Sequence, residues 1–82
     1  HTSDIFYRKD PNIPEVAQKY NCSAVEMEAL ALFANAKHLG KNAATILTVS
    51  DIIPTGDQIS ADQREKALRT MMELSLETAI KI

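Results

Sequence analysis

An almost uninterrupted run of apolar and β-branched residues, Ala43 to Val49, constrains the fold of this chain more than any other feature. Such a run predicts a strand buried inside a sheet. The preceding residues, 29–39, are rich in alanine and leucine at helical spacing, and Gly40 follows where a helix commonly ends in a left-handed residue. A helix that leads into a buried strand is typical of the α/β class.

The residues before this helix predict three short elements. Residues Thr2–Tyr7 are rich in β-formers and predict the end of a strand. Residues Arg8–Pro14 contain two prolines and predict a loop. A short helix over Glu15–Tyr20 should follow, because proline is well tolerated in a first helical turn.

The start of the alanine-rich helix has two interpretations. In the first, Ser23 is the N-cap of a capping box and Glu26 occupies the third helical position. In the second, Ala24–Met27 is a short strand and the helix begins at Glu28. Both interpretations stay open at the level of sequence.

The last third of the chain predicts a loop and a long helix. Asp51 lies just past the carboxyl end of the predicted strand, where ligands tend to bind in open α/β sheets. Residues Ile52–Ile59 contain a proline and a glycine and predict a loop. Ser60 and Gln63 form a second capping-box pattern, which predicts a helix over about Ala61–Lys81.

Arg64 falls in the first turn of this last helix, where a cation opposes the helix dipole. No acidic residue stands four positions away from Arg64 to form a helical ion pair. The mismatch suggests that Arg64 serves a purpose other than helix stability.

Size and composition narrow the protein class. With 82 residues, the chain makes at most one small domain, and its net charge of −2 argues against a nucleic-acid binder. It has no apolar run long enough to span a membrane, no signal peptide and no cysteine or histidine cluster with metal-site spacing. Its single cysteine, Cys22, fits a reducing compartment, so we expect a cytoplasmic protein. The absence of an initiator methionine suggests a segment from within a larger protein.

Three segments carry a family resemblance: Ser3–Tyr7, the run Val25–Ala29, and Thr48–Asp51 with Arg64 after it. Together they resemble the carboxyl-terminal third of the bacterial hexameric purine nucleoside phosphorylases. The resemblance implies that residues 1–82 are one segment of a single nucleoside phosphorylase domain, with a three-layer α/β/α fold and a mixed sheet. In order along the chain, this segment should contain a strand, a short helix, a helix, a strand and a long final helix.

The resemblance also implies roles for the residues around the alanine-rich helix. Glu28 would accept hydrogen bonds from the ribose 2′- and 3′-hydroxyls, and Met27 would pack under the sugar. Phe6 and Val25 would contact the faces of the purine, and Glu26 would lie beside the base. Each has a plainer alternative: capping or loop for Glu26, a solvated charge for Glu28, and core packing for Met27 and Phe6.

A second group of roles concerns proton transfer. Asp51 would be the general acid near N7 of the purine, Ser50 would lie next to it, and Arg64 would approach Asp51 when substrate binds. Asp51 alone would otherwise be an ordinary turn residue.

The same resemblance implies reversible phosphorolysis of purine (deoxy)ribonucleosides in purine salvage, with inorganic phosphate as co-substrate and no cofactor or metal. The residues that bind phosphate would lie outside this chain, in the rest of the polypeptide, and the enzyme would be a homo-hexamer. The 82-residue chain alone should therefore be inactive.

Other functions stay open. Within the same superfamily the alternatives are a methylthioadenosine/S-adenosylhomocysteine nucleosidase and a uridine phosphorylase. The alternative outside it is a non-enzymatic helical module that binds a partner through its last helix. A preference for 6-amino or 6-oxo purines does not follow from the sequence.

Overall fold

The computed structural model describes residues 1–10 and 12–82, and the chain divides into two compact units, His1–Thr45 and Ile46–Ile82. The predicted loop Arg8–Pro14 includes Pro11, which lies outside the described residues. Three helices and a two-stranded sheet among the described residues agree with the predicted α/β class.

In the first unit, a parallel β-bridge pairs the backbone of Thr2 with that of Glu26. The Ser3 amide donates to the Glu26 carbonyl at 2.8 Å, and the Glu26 amide donates to the His1 carbonyl at 3.0 Å. The predicted strand end over Thr2–Tyr7 was therefore wrong in its extent. The Ser3 hydroxyl and the backbone of Ile5 hydrogen-bond to each other, and this local turn bends the chain out of the bridge.

Two helices complete the first unit. Helix α1 spans Glu15–Lys19, directly after Pro14, and contains the one buried apolar residue among those described, Ala17. Helix α2 spans Ala29–His38 with Glu28 at its N-cap. The first interpretation of its start is wrong, because the backbone of Glu26 is engaged in the bridge and cannot occupy a helical turn. The second is right in placing the start of the helix after Met27, but Glu26 forms a single bridge rather than a strand over Ala24–Met27.

The end of α2 confirms the role predicted for Gly40. Gly40 has φ +65°, and its amide donates to the Lys37 carbonyl at 3.2 Å. The Lys41 amide donates to the Ala36 carbonyl at 2.8 Å. This pair of bonds is a Schellman motif, which needs a left-handed residue that glycine adopts at low cost.

The strand predicted over Ala43–Val49 is wrong for this structure. Residues 43–49 form no strand in the described chain, and none of the described backbone groups pairs with them as a ladder neighbour. An apolar run becomes a buried strand only when adjacent strands accept and donate its backbone hydrogen bonds. Val49, for example, remains 70% exposed.

The second unit contains a hairpin where a loop was predicted, so that prediction for Ile52–Ile59 was also wrong. Strand β1 spans Asp51–Ile52 and strand β2 spans Asp57–Gln58; they pair antiparallel, with Asp51 opposite Gln58. Gly56 closes the turn at φ +75°, with its amide donating to the Ile52 carbonyl at 2.8 Å. The glycine and the turn residues of this segment are compatible with a tight hairpin turn as well as with a long loop.

Helix α3 spans Ala61–Lys81 and confirms the predicted long helix. Ser60 and Gln63 form the predicted capping box: the Gln63 amide donates to the Ser60 hydroxyl at 3.1 Å, and the Ser60 amide donates to the Gln63 side chain at 2.9 Å. One face is half-buried and carries Ala67, Leu68, Met71 and Ser75. None of the described helices combines the length and the apolar character needed to cross a membrane.

Candidate functional site

The second unit places Ser50 and Asp51 next to the amino end of α3. The Ser50 carbonyl accepts the amide of Ile59 at 3.0 Å, and Ile59 immediately precedes the N-cap of α3. The Ser50 hydroxyl donates to the Oδ2 atom of Asp51, whose side chain is exposed at the start of β1. The pair therefore lies at the edge of the hairpin, where the Asp51 side chain is exposed.

A second contact gives the direction in which this segment runs. The Thr48 hydroxyl donates to the sulfur of Met71 at 3.3 Å, in the middle of α3. Because Thr48 lies beside Met71 and Ser50 lies beside Ile59, residues 48–50 run antiparallel to α3, toward its amino end.

Arg64 lies at the same end of α3. Its amide donates to the Ser60 carbonyl at 2.9 Å, which places it in the first turn. It precedes Met71 by seven positions, two helical turns, so both project from the face along which Thr48 lies. The second unit thus brings Asp51 and Arg64 to one end of one helix.

Asp62, the acidic residue nearest to Arg64 in sequence on its amino side, is engaged elsewhere. Its carboxylate accepts from Lys66 at 3.0 Å, four positions along an exposed face of α3. Arg64 therefore does not share that carboxylate in the observed arrangement.

The first unit places the remaining predicted site residues around the start of α2. Glu28 is the N-cap of α2 with φ −125°, and its side chain makes no capping hydrogen bond and is exposed. Val25 and Met27 precede it and are 37% and 39% exposed. Phe6 stands beyond the bridge, 74% exposed, and packs edge-to-face on Tyr7.

The carboxylate of Glu26 is held by hydrogen bonds from the protein at both oxygens. Its Oε2 atom accepts the amides of Glu28 at 2.7 Å and Ala29 at 2.6 Å, and its Oε1 atom accepts the hydroxyl of Thr2. The Thr2 hydroxyl, followed by the two amides, holds the pKa of Glu26 below its ordinary value of 4.5. The plainer expectation of a capping role agrees with these contacts.

Thr2 is a residue that the sequence did not indicate. Its hydroxyl also accepts the amide of Leu30 at 3.1 Å, so it contacts α2 from far away in the chain. The sequence around Thr2 does not predict this role, because the role depends on a partner 28 positions away.

The predicted site residues thus form two groups, one in each unit: Phe6, Val25, Glu26, Met27 and Glu28 in the first, and Ser50, Asp51 and Arg64 in the second. Their joint use of one ligand stays a prediction. Within residues 1–10 and 12–82, no group of three or more histidine, cysteine, aspartate or glutamate side chains could hold a metal ion.

Comparison with known proteins gives a consistent family. Residues 1–81 match the sequence profile of the Phosphorylase superfamily. The chain is 43% identical over 81 residues to a DeoD-type purine nucleoside phosphorylase of Chromobacterium violaceum, covering 99% of this chain and 34% of the relative. The relative from Colwellia psychrerythraea is 44% identical over 79 residues, covering 96% and 34%, and that from Oceanobacillus iheyensis 43% over 81 residues, covering 98% and 34%.

The chain spans about a third of the length of these curated relatives, since the matched part is 34% of each. No solved structure matches the chain.

Proposed function

This chain belongs to the phosphorylase superfamily, and on that premise we propose that it is the carboxyl-terminal segment of a purine nucleoside phosphorylase. The observation that supports this proposal is that Asp51, at the start of β1, and Arg64, in the first turn of α3, lie toward the same end of that helix in a chain 43% identical to such phosphorylases. The enzyme would convert purine (deoxy)ribonucleosides and inorganic phosphate reversibly into the free base and the (deoxy)ribose 1-phosphate, in purine salvage.

In this reaction a phosphate oxygen forms a bond to C1′ while the C1′–N9 bond breaks, and the electron pair of that bond moves onto the purine. A purine anion leaves poorly, so a proton delivered to N7 assists the departure. Asp51 would deliver this proton, and general-acid assistance is typically worth about 10²- to 10⁴-fold in rate.

Arg64 would control when Asp51 releases its proton. Exclusion of water favours the neutral carboxyl group, and the approach of a guanidinium favours the carboxylate. An approach that occurs only with bound substrate couples proton donation to binding. Ser50, whose hydroxyl already contacts Asp51, would orient the carboxyl group.

Glu28 would act on the sugar rather than the base. Its exposed carboxylate, free of capping bonds, can accept the 2′- and 3′-hydroxyls and hold the sugar in the reactive orientation. It also places negative charge near the oxocarbenium-like sugar of the transition state. The partly exposed apolar side chains of Met27, Val25 and Phe6 would pack against the nucleoside.

The rest of the enzyme is proposed from the same family. Residues 1–82 would be part of a single three-layer α/β/α domain with a mixed sheet, in which 43–49 gain strand neighbours from the remaining polypeptide. The residues that bind phosphate would lie in that remaining part. The enzyme would be a cytoplasmic homo-hexamer that uses no metal or cofactor.

The test is made in the polypeptide that carries this chain, with purine nucleosides and with 7-methylpurine nucleosides, whose cationic base needs no proton to leave. Asp51→Asn should slow phosphorolysis of the ordinary nucleosides by about 10²- to 10⁴-fold and affect the methylated ones far less. Asp57→Asn, on the opposite strand of the hairpin, is the matched control and should change neither.

Two results would count against the proposal. An equal loss on both substrates removes the general-acid role of Asp51. Cleavage that proceeds without phosphate identifies a nucleosidase instead.

A further inference from the structure

We propose that Thr2 and Glu26 are positioning residues that cap α2 in place of Glu28 and so leave the Glu28 carboxylate free for the sugar. This inference rests on the proposed function. It concerns how Glu28 is held, and it gives Thr2 a role that the sequence did not indicate.

The first turn of α2 has backbone amides that need hydrogen-bond acceptors from outside the helix. The first intrahelical bond runs from the Leu32 amide to the Glu28 carbonyl at 3.2 Å, so the amides of residues 28–31 have no acceptor within the helix. An N-cap side chain commonly satisfies one of these amides. The side chain of Glu28 does not.

Three of these four amides are satisfied by Glu26 and Thr2 instead. The Oε2 atom of Glu26 accepts from Glu28 and Ala29 at 2.7 and 2.6 Å, and the Thr2 hydroxyl accepts from Leu30 at 3.1 Å. Hydrogen bonds from amides to a carboxylate are about twice as strong as those between neutral groups. The carboxylate of Glu28 is therefore not needed to start its own helix.

The Thr2 hydroxyl connects the two acceptors. A hydroxyl has a single proton, and Thr2 gives it to the Oε1 atom of Glu26 while its oxygen accepts from Leu30. The backbone of Thr2 is itself fixed by its parallel bridge to Glu26. The carboxylate of Glu26 is thus held at both oxygens, and with it the backbone of Glu28 at its non-helical φ of −125°.

This arrangement matters for the reaction because Glu28 would bind two hydroxyls of one sugar. A displacement of about 1 Å in a positioning group can cost about 100-fold in rate. Loss of the Thr2 hydroxyl leaves the Leu30 amide without its acceptor and one Glu26 oxygen without its donor, so the start of α2 and the position of Glu28 should loosen.

The test compares two substrates in the polypeptide that carries this chain: a purine ribonucleoside and its 2′,3′-dideoxy analogue, which offers Glu28 no hydroxyl. Thr2→Val should lower kcat/KM for the ribonucleoside by about 10- to 100-fold and leave the analogue nearly unchanged. Thr2→Ser keeps the hydroxyl and should restore the preference. Glu28→Gln should show the same loss of preference, and adding Thr2→Val to it should cost little more.

Ser3→Ala is the matched control, because the hydrogen bonds of the Ser3 hydroxyl to the described residues stay within its own turn, at Ile5. Equal losses on both substrates, or an intact ribonucleoside preference in Thr2→Val, would overturn the positioning role. If the unmodified enzyme shows no phosphate-dependent cleavage at all, the proposed function fails and this role fails with it.

A measurement on the unmodified protein does not depend on a variant that folds. The amides of Glu28, Ala29 and Leu30 should exchange with solvent slowly, since each donates to Glu26 or Thr2. Exchange at the rate of a frayed helix end would contradict the proposal.

Discussion

Residues 1–82 produced as a separate polypeptide should not fold cooperatively, because the chain leaves too much of its surface in water. A folded monomer of 9.1 kDa exposes about 4,900 Å². This chain exposes 7432 Å², an excess of about 2,500 Å² over that expectation. Among the described residues, Ala17 alone forms the buried apolar core.

The free energy that corresponds to this excess of exposed area decides whether the chain can fold alone. If somewhat more than half of it is apolar, as on ordinary protein surfaces, about 1,400 Å² of apolar area lacks a partner. At about 25 cal/mol per Å², that area corresponds to roughly 35 kcal/mol of missing stabilisation. Net stabilities of folded domains are only about 5–15 kcal/mol, so the chain requires additional covering surface.

A urea titration followed by two signals tests this expectation. Tyrosine fluorescence reports the first unit, through Tyr7 and Tyr20, whereas far-UV circular dichroism is dominated by the longest helix, α3. Helices α1 and α2 are shorter than the ~12–15 residues at which isolated helices become marginally stable, so little helix should remain outside α3. Both signals should change gradually and without a common midpoint.

The capping variant Ser60→Ala provides the control. If the chain does not fold cooperatively, Ser60→Ala should lower only the circular dichroism signal of α3, because a lost N-cap typically destabilises its helix by ~1 kcal/mol. The tyrosine fluorescence should stay unchanged. The reasoning is refuted if both signals follow one sigmoidal transition, with a slope of about 1–3 kcal/mol per M urea, that Ser60→Ala shifts as a unit.

Two further predictions concern single side chains. In the polypeptide that carries this chain, Arg64→Ala should lower kcat more than it changes KM, whereas Arg69→Ala, on an exposed part of α3, should leave both unchanged. An unchanged kcat in Arg64→Ala would exclude its role in proton release by Asp51. The depressed pKa of Glu26 means that its contribution to the start of α2 is present above pH 4.5 and is lost as the pH falls through its lower folded value. The protection of the Ala29 amide, relative to the exchange rate of an unfolded chain at the same pH, should therefore fall only below pH 4.5. A fall above that pH, or one that persists in Glu26→Gln, would contradict this assignment.

Features that depend on neighbouring residues were predictable from the sequence. The capping box of Ser60 and Gln63 and the left-handed Gly40 both appear as predicted, because each is satisfied within a single turn of backbone. The extent of α3 follows from the same local signals.

Features that depend on distant partners were not predictable. The apolar residues of 43–49 are suited to a strand, but strand formation needs a neighbouring backbone, and none of the described segments supplies one. The hairpin of β1 and β2 replaced the predicted loop because its turn residues allow the chain to pair with itself over a short distance.

The candidate site divides in the same way. The order and type of its charged residues, with Glu28 at a helix start and Asp51 and Arg64 after that helix, were sufficient to indicate the family from sequence alone. Only the tertiary structure showed that Asp51 and Arg64 share one end of α3 and that Thr2 holds Glu26 against α2. The capping box of α3 is formed by residues three positions apart and can therefore be predicted from the local sequence. Contacts between residues far apart, such as that of Thr2 with the start of α2, exist only once the backbone has brought the residues together.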